Sequence, residues 1–332
     1  MYIVESYQTA VLFCVITMIC WGSWANTQKL ASKAWRFELF YWDYVIGILV
    51  FSVLFGLTAG STGSEGRGFL ADLKQAAGGS LGSAFTGGIL FNAANILFSA
   101  AISVAGMAVA FPIGIGMALV LGVSLNYIAD QRGDAYWLFG GVALIIVAIL
   151  LNAAAYRRSG VSKKVGSKGI LLAVSAGVLM SFFYRFIAAS MDLSDFHHPA
   201  AGKMTPYSAV FVFSIGIFVS NFLFNTILMR RPVSGPPVSY RDYFAGLLKT
   251  HGVGLLGGLI WGLGNSLNLL ASGKAGPAIS YGLGQGATLV AAAWGVFIWK
   301  EFLPASSQTR LLITGMFACF IAGIGMIIYA GS

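Results

Sequence analysis

Apolar residues in this chain run in unbroken stretches of about 20, the length a helix needs to cross roughly 30 Å of hydrocarbon. Ten such windows are predicted, at approximately 8–28, 38–60, 82–104, 105–128, 135–156, 169–190, 207–229, 250–272, 275–298 and 309–330. The runs are continuously apolar and do not alternate over ten residues, so the pattern predicts helices and not the strands of a membrane barrel. Almost nothing separates the third window from the fourth, or the eighth from the ninth. Each of these pairs is expected to be a tight hairpin.

The two hairpins are copies of one another. Residues 87–129 align without a gap on a second stretch beginning at Gly257, pairing Gly88 with Gly258, Asn95 with Asn265, Gly106 with Gly276, Gly114 with Gly284 and Gly116 with Gly286. Five helices per copy is an odd number, so the second copy must cross the membrane in the opposite sense to the first. The expected fold is an all-α polytopic membrane protein of about ten transmembrane helices in two five-helix inverted repeats, residues 1–156 and 169–332, divided by a basic linker at 157–168. Inverted repeats are the architecture of secondary transporters that open alternately to either side around a midplane site.

Composition supports the membrane reading and removes other classes. Hydrophobic residues make up 58% of the 332 residues and charged residues only 9%, with a mean hydropathy of +0.81, which leaves too little polar surface for a water-soluble globule. The 43 glycines suit helices that must approach closely where lipid gives no hydrophobic incentive to associate. A net charge of +9 does not point to nucleic acid, because the basic residues fall in short loops beside apolar spans. They read as orientation signals. One set of loops holds Lys29, Lys33 and Arg36; Arg157, Arg158, Lys163, Lys164 and Lys168; Arg230, Arg231, Arg241 and Lys249; and Lys300 and Arg310. The opposite loops hold only Arg67, Lys74, Arg132, Lys203 and Lys274, so both termini are expected outside the cytoplasm, in an inner membrane. Cys14, Cys20 and Cys319 all sit within apolar windows and imply no disulfide framework. No small-residue cleavage site follows the first window, which is expected to stay in the mature protein.

Polar groups inside the windows are the candidates for function. Asp43 lies about a turn and a half into the second window: either an interfacial acid aided by the positive end of its helix dipole, or a proton acceptor for gradient coupling. Glu5 and Arg185 occupy similar depths at the outer ends of corresponding helices, where they could pair as a gate or make no contact. Asn92 and Asn95, and likewise Asn265 and Asn268, share a helical face at a spacing of three. Buried amides need partners, from neighbouring helices or from a polar ligand. Pro112 should break the fourth helix near its middle, freeing carbonyls where they line a cavity, with Gly282 as its positional counterpart and Gln285 within a turn. Trp21 and Trp24 stand one turn apart, to stack on a flat ligand or to sit in an interfacial belt. The glycine-rich GIGIG and GLGQG lack the strand and lysine of a phosphate loop, and no histidines have metal-ligand spacing. No cofactor, no metal and no enzymatic activity are expected.

Specific motifs add a family. MYIVES at the amino terminus, the Asp43–Tyr44 pair, GVSLNYIAD, and the run GLGNSLNLLASGKAGPAISYGLGQGATLVAAAWGVFIWKE resemble the ureide permeases of the drug/metabolite transporter superfamily. WGSW, WGLGN and SYGLGQ are also similar to bacterial glucose/ribose porters, and GIGIGMALVLG to the rhamnose–proton symporter group. The resemblance implies ten helices in two inverted repeats and proton-coupled uptake of a small neutral polar solute: allantoin, uracil or a related compound, or alternatively a monosaccharide. A cationic drug exporter would carry a carboxylate within its first helix, and this helix has none after Glu5. On that reading Trp21, Trp24, Asn92, Asn95, Pro112, Asn265, Asn268, Tyr281 and Gln285 form the solute site, Asp43 is the coupling acid, and the energy source is a proton gradient, with sodium open. The oligomeric state is open as well.

Overall fold

The computed structural model describes residues 1–31, 35–159, 166–300, 302 and 306–332. Lys33, Glu301 and linker residues 160–165 lie outside the described residues. Among the described residues, ten helices are long and apolar enough to cross a membrane: α1 (Tyr7–Ala31), α2 (Phe37–Leu57), α3 (Gly78–Ala105), α4 (Phe111–Ala129), α5 (Ala135–Arg158), α6 (Ser167–Ser190), α7 (Pro206–Arg230), α8 (Leu248–Ala275), α9 (Pro277–Ile298) and α10 (Ser307–Tyr329). Local chemistry sets the ends. Proline opens α7 and α9 at the first turn, where no amide hydrogen is missed. Asp134 caps α5 by accepting from Tyr136 N at 2.8 Å and Trp137 N at 3.1 Å.

The duplicated hairpins turn in the same way. Gly106, at φ 78° and ψ 163°, joins α3 to the turn Met107–Ala110 that leads into α4, and Gly276, at φ 79° and ψ 155°, joins α8 to α9. A positive φ of this kind strains any residue with a Cβ. The expectation for Pro112 needs correction. It lies near the start of its span, inside a π-helical turn at Phe111–Ile115 that absorbs the missing donor without breaking the helix. In the second copy the irregularities fall at Gly286, between Pro277–Gln285 and Ala287–Ala293, and at a π-helical turn over Trp294–Ile298, and not at Gly282.

Packing groups the helices as α1, α2, α8 and α9 against α6, α7, α3 and α4, with α5 and α10 paired beside them. Matched glycine crossings hold both groups. A Cβ on Gly47 of α2 would lie 2.9 Å from Gly258 Cα of α8, and a Cβ on Gly216 of α7 would lie 3.2 Å from Gly88 Cα of α3. Gly47 and Gly216 therefore play one role in two helices, within Ile46-Gly47-Ile48 and Ile215-Gly216-Ile217. That extends the internal similarity to α2 and α7, beyond the hairpins where sequence alone makes it visible.

Candidate functional site

Where the two groups meet, side chains enclose a cavity of about 50 Å³. One water needs ~10–15 Å³ on this measure, so the space holds several non-hydrogen atoms. Its aromatic wall comes from Trp21 and Trp24 of α1, Phe91 and Phe98 of α3, Phe111 of α4, Phe183 of α6 and Trp261 of α8. Asn95, Gln285 and Thr288 supply the polar part. Two observations show how the duplicated sequence builds this wall. Phe91 and Trp261 occupy the same position in the two copies, and their rings meet at 4.2 Å, so equivalent residues touch where the halves face each other. Trp21 stacks on Trp261 with ring centroids 5.9 Å apart and planes 8° from parallel. Gly264 and Gly284 keep room for Trp21, since a Cβ at either would lie 2.9 Å or less from its ring.

Polar groups at the cavity divide into those held by protein and those left for a ligand. Asn95 donates from Nδ2 to the Tyr41 hydroxyl at 3.2 Å, which fixes the amide between α3 and α2. Gln285 is only 5% exposed; its backbone carbonyl accepts from Thr288 Oγ1 at 3.1 Å, while its side-chain amide makes no hydrogen bond among the described residues, and the buried Trp21 Nε1 is likewise without a partner there. A buried donor without a partner costs stability, so Trp21 Nε1 is an unsatisfied donor at the cavity, with the Gln285 amide beside it among the lining groups.

Four sequence-predicted site residues, Trp21, Trp24, Asn95 and Gln285, thus share one cavity. The other five do not line it. Asn92 donates to Ser220 Oγ at 2.9 Å, a helix-to-helix bond. Asn268 donates to Ser280 O at 2.8 Å. Tyr281 is fully buried and its hydroxyl donates to Ala118 O at 3.2 Å or Met180 O at 3.3 Å. Asn265 is buried at 1% exposure with neither amide atom partnered among the described residues. Pro112 lines an adjoining space with Phe111, Asn152, Tyr156 and Thr288, which shares Phe111 and Thr288 with the central cavity. Trp261, Phe91 and Phe183 are additions. The gapless repeat carried a signal for the first two, because residues on the pseudo-twofold axis must be repeat equivalents.

Asp43 belongs to a different cluster, at the end of the bundle that carries the basic loops. Its carboxylate accepts from the Tyr243 hydroxyl at 2.6 Å and meets His251 Nδ1 at 3.0 Å. Trp35 covers the cluster, edge-on to His251 at 4.5 Å and stacked on Tyr243 at 5.7 Å. Tyr243, on the short loop helix Tyr240–Phe244, has its hydroxyl held protonated by burial and by the Asp43 carboxylate it bonds. One residue along α2, Tyr44 packs on Trp24 at 4.8 Å, so the residue next to Asp43 backs a side chain of the cavity wall. Of the two readings left open for Glu5 and Arg185, a gate pair or no contact, the structure shows no contact: Glu5 meets His197 at 3.2 Å, while Arg185 is exposed and without an ion pair among the described residues.

Among the described residues, ten apolar helices, eight of them in two matched groups around a central aromatic and amide cavity, define a polytopic membrane protein. A solved crystal structure shares this fold at a TM-score of 0.60 over 96% of both chains, with 15% sequence identity. Over 98% of both chains, the protein is 25% identical to ureide permease 1 and to ureide permease 2 of Arabidopsis thaliana. It is 24% identical to a probable ureide permease A3 of Vigna unguiculata over 93% of this chain and 100% of that one. The ureide permease family profile matches residues 40–168 and 156–330, and the chain belongs to that family. It is a membrane transporter.

Proposed function

We propose that the protein imports a flat, neutral, amide-bearing solute, a ureide or nucleobase of the allantoin or uracil type, by proton symport across the inner membrane. One observation carries the substrate class: the Gln285 amide stands without a hydrogen-bond partner among the described residues in a cavity walled by the stacked Trp21 and Trp261. An amide both donates and accepts, as ureides and nucleobases do, and an indole face covers a planar ring. Neither demands an ionised partner, and no charged side chain lines the cavity among the described residues. The names of the relatives point the same way.

Coupling is assigned to Asp43. It is the carboxylate within a span that bonds a titratable partner, His251, and its helix reaches the cavity through Tyr44 and Trp24. Alternating access would then rock the α1, α2, α8, α9 group against the α6, α7, α3, α4 group, with the basic loops in the cytoplasm.

The test is ligand-dependent thermal unfolding of the purified protein, since a solute bound only by the folded state raises its stability by mass action. Allantoin or uracil is expected to raise the unfolding midpoint. A rise with glucose, ribose or rhamnose alone would move the assignment to monosaccharides.

A further inference from the structure

At the amino-terminal end of the bundle, segments from both helix groups converge on His197. This residue lies in the α6–α7 loop, with Nε2 at 3.2 Å from Glu5 Oε1 and Nδ1 at 3.1 Å from Glu65 Oε2. Glu5 immediately precedes α1 of one group, and Glu65 lies in the α2–α3 loop. The chain before Glu5 is built into the same closure. Ile3 and Val4 are buried, the Met1 amino group donates to Glu65 O at 2.5 Å, Tyr2 N donates to Ala59 O at 2.9 Å, and Tyr207 of α7 donates to Tyr2 O at 2.9 Å. Arg132 adds bonds to Gly273 O of α8 at 2.8 Å and to Leu193 O of the α6–α7 loop at 3.0 Å. At the basic end, by contrast, the ion pairs of the described residues stay within one group: Arg36 with Glu38, and Asp43 with His251.

A neutral imidazole donates at only one nitrogen, whereas imidazolium donates at both. Two carboxylates, one at each ring nitrogen, are therefore satisfied together only by protonated His197. We propose that His197 is a positioning residue of the outer gate: protonated, it ties Glu5 to Glu65 and holds the amino-terminal segment across the joint between the two groups. This rests on the alternating-access reading and not on the solute. The other ionisable groups facing His197 are Asp195, whose carboxylate accepts from the His197 amide at 2.8 Å, and His198, whose ring lies 6.4 Å away. The hydrogen bond to Glu65, and then the charge of Glu5, raise the His197 pKa above the ordinary histidine value. A raised pKa makes the tie complete at low pH and lost as pH rises through the folded-state value.

Hydrogen exchange of residues 1–6, corrected for intrinsic rates, tests this without any solute, so an error in substrate assignment leaves the readout intact. In the wild type the segment is expected to be about fivefold better protected at pH about 5 than at pH about 8, the size that two exposed ion pairs supply. His197→Gln should lose that protection at both pH values, and His197→Lys, which keeps a positive charge, should retain part of it at both. Equal protection of the wild type at the two pH values would overturn the proposal, as would a pH-dependent response that survives in His197→Gln. Unchanged protection of α3 and α8 in the variants checks that they are folded.

Discussion

A single amide bears most of the substrate argument. Gln285 sits where α9 loosens, one residue before the irregular Gly286, and its side chain lines the cavity without a hydrogen-bond partner among the described residues. Replacing it by alanine removes one uncharged hydrogen bond to a solute, a net effect of about 0.5–1.5 kcal/mol, or roughly three- to tenfold in affinity. Gln285→Ala is therefore expected to weaken solute binding by that factor with its ligand-free unfolding midpoint unchanged, and unaltered affinity would remove Gln285 from the site. The residue scale is also where sequence reading met its limit. Asn92 and Asn95 share a helical face, yet only Asn95 reaches the cavity, because Ser220 of α7 takes the Asn92 amide. Spacing along one helix cannot say which neighbour covers which turn. For Phe91 and Trp261 the signal lies in the repeat alone, since an aromatic in an apolar run carries no other mark of facing a cavity.

Helices and hairpins were the most legible part of the molecule, because their signals are local. Span lengths, the glycine turns at 106 and 276, and the first-turn proline of α9 follow from apolar run length and backbone freedom. Pro112 was less predictable: the missing donor can be absorbed by a break or by a π-helical turn, and tertiary packing decides which. Glycines in these helices differ sharply in what surrounds them. At Gly258 a Cβ would collide with the Tyr44 carbonyl and lie 2.8 Å from Gly47 Cα, whereas at Gly116 it would meet nothing within 4 Å. Gly258→Ala is thus expected to force α2 and α8 apart at a cost of about 1–3 kcal/mol. Gly116→Ala should be neutral or stabilising, as alanine favours helix. Thermal unfolding of the two variants side by side checks this, and equal midpoints would mean that the glycine crossings do not hold the group together.

Over the whole molecule, the repeats are matched in packing and unmatched in chemistry. Equivalent glycines cross at Gly47–Gly258 and Gly88–Gly216, while the Asp43–His251 cluster and the His197 bridge lie at opposite ends. On the proposed reading, such an arrangement would give the two faces of the carrier different responses to protons. The hairpin repeat is visible in the sequence because a stretch such as 87–129 keeps its register, whereas the polar clusters are not, because Tyr243 and His197 come from loops whose partners are remote in sequence. The most direct measurement is uptake of radiolabelled allantoin and uracil into proteoliposomes under an inward proton gradient, with the wild type and Asp43→Asn compared. Accumulation above equilibrium is expected for the wild type and is expected to vanish with a protonophore and in the variant, which should still equilibrate solute. Accumulation of monosaccharides but of neither amide solute, or undiminished accumulation in Asp43→Asn, would contradict the proposed function.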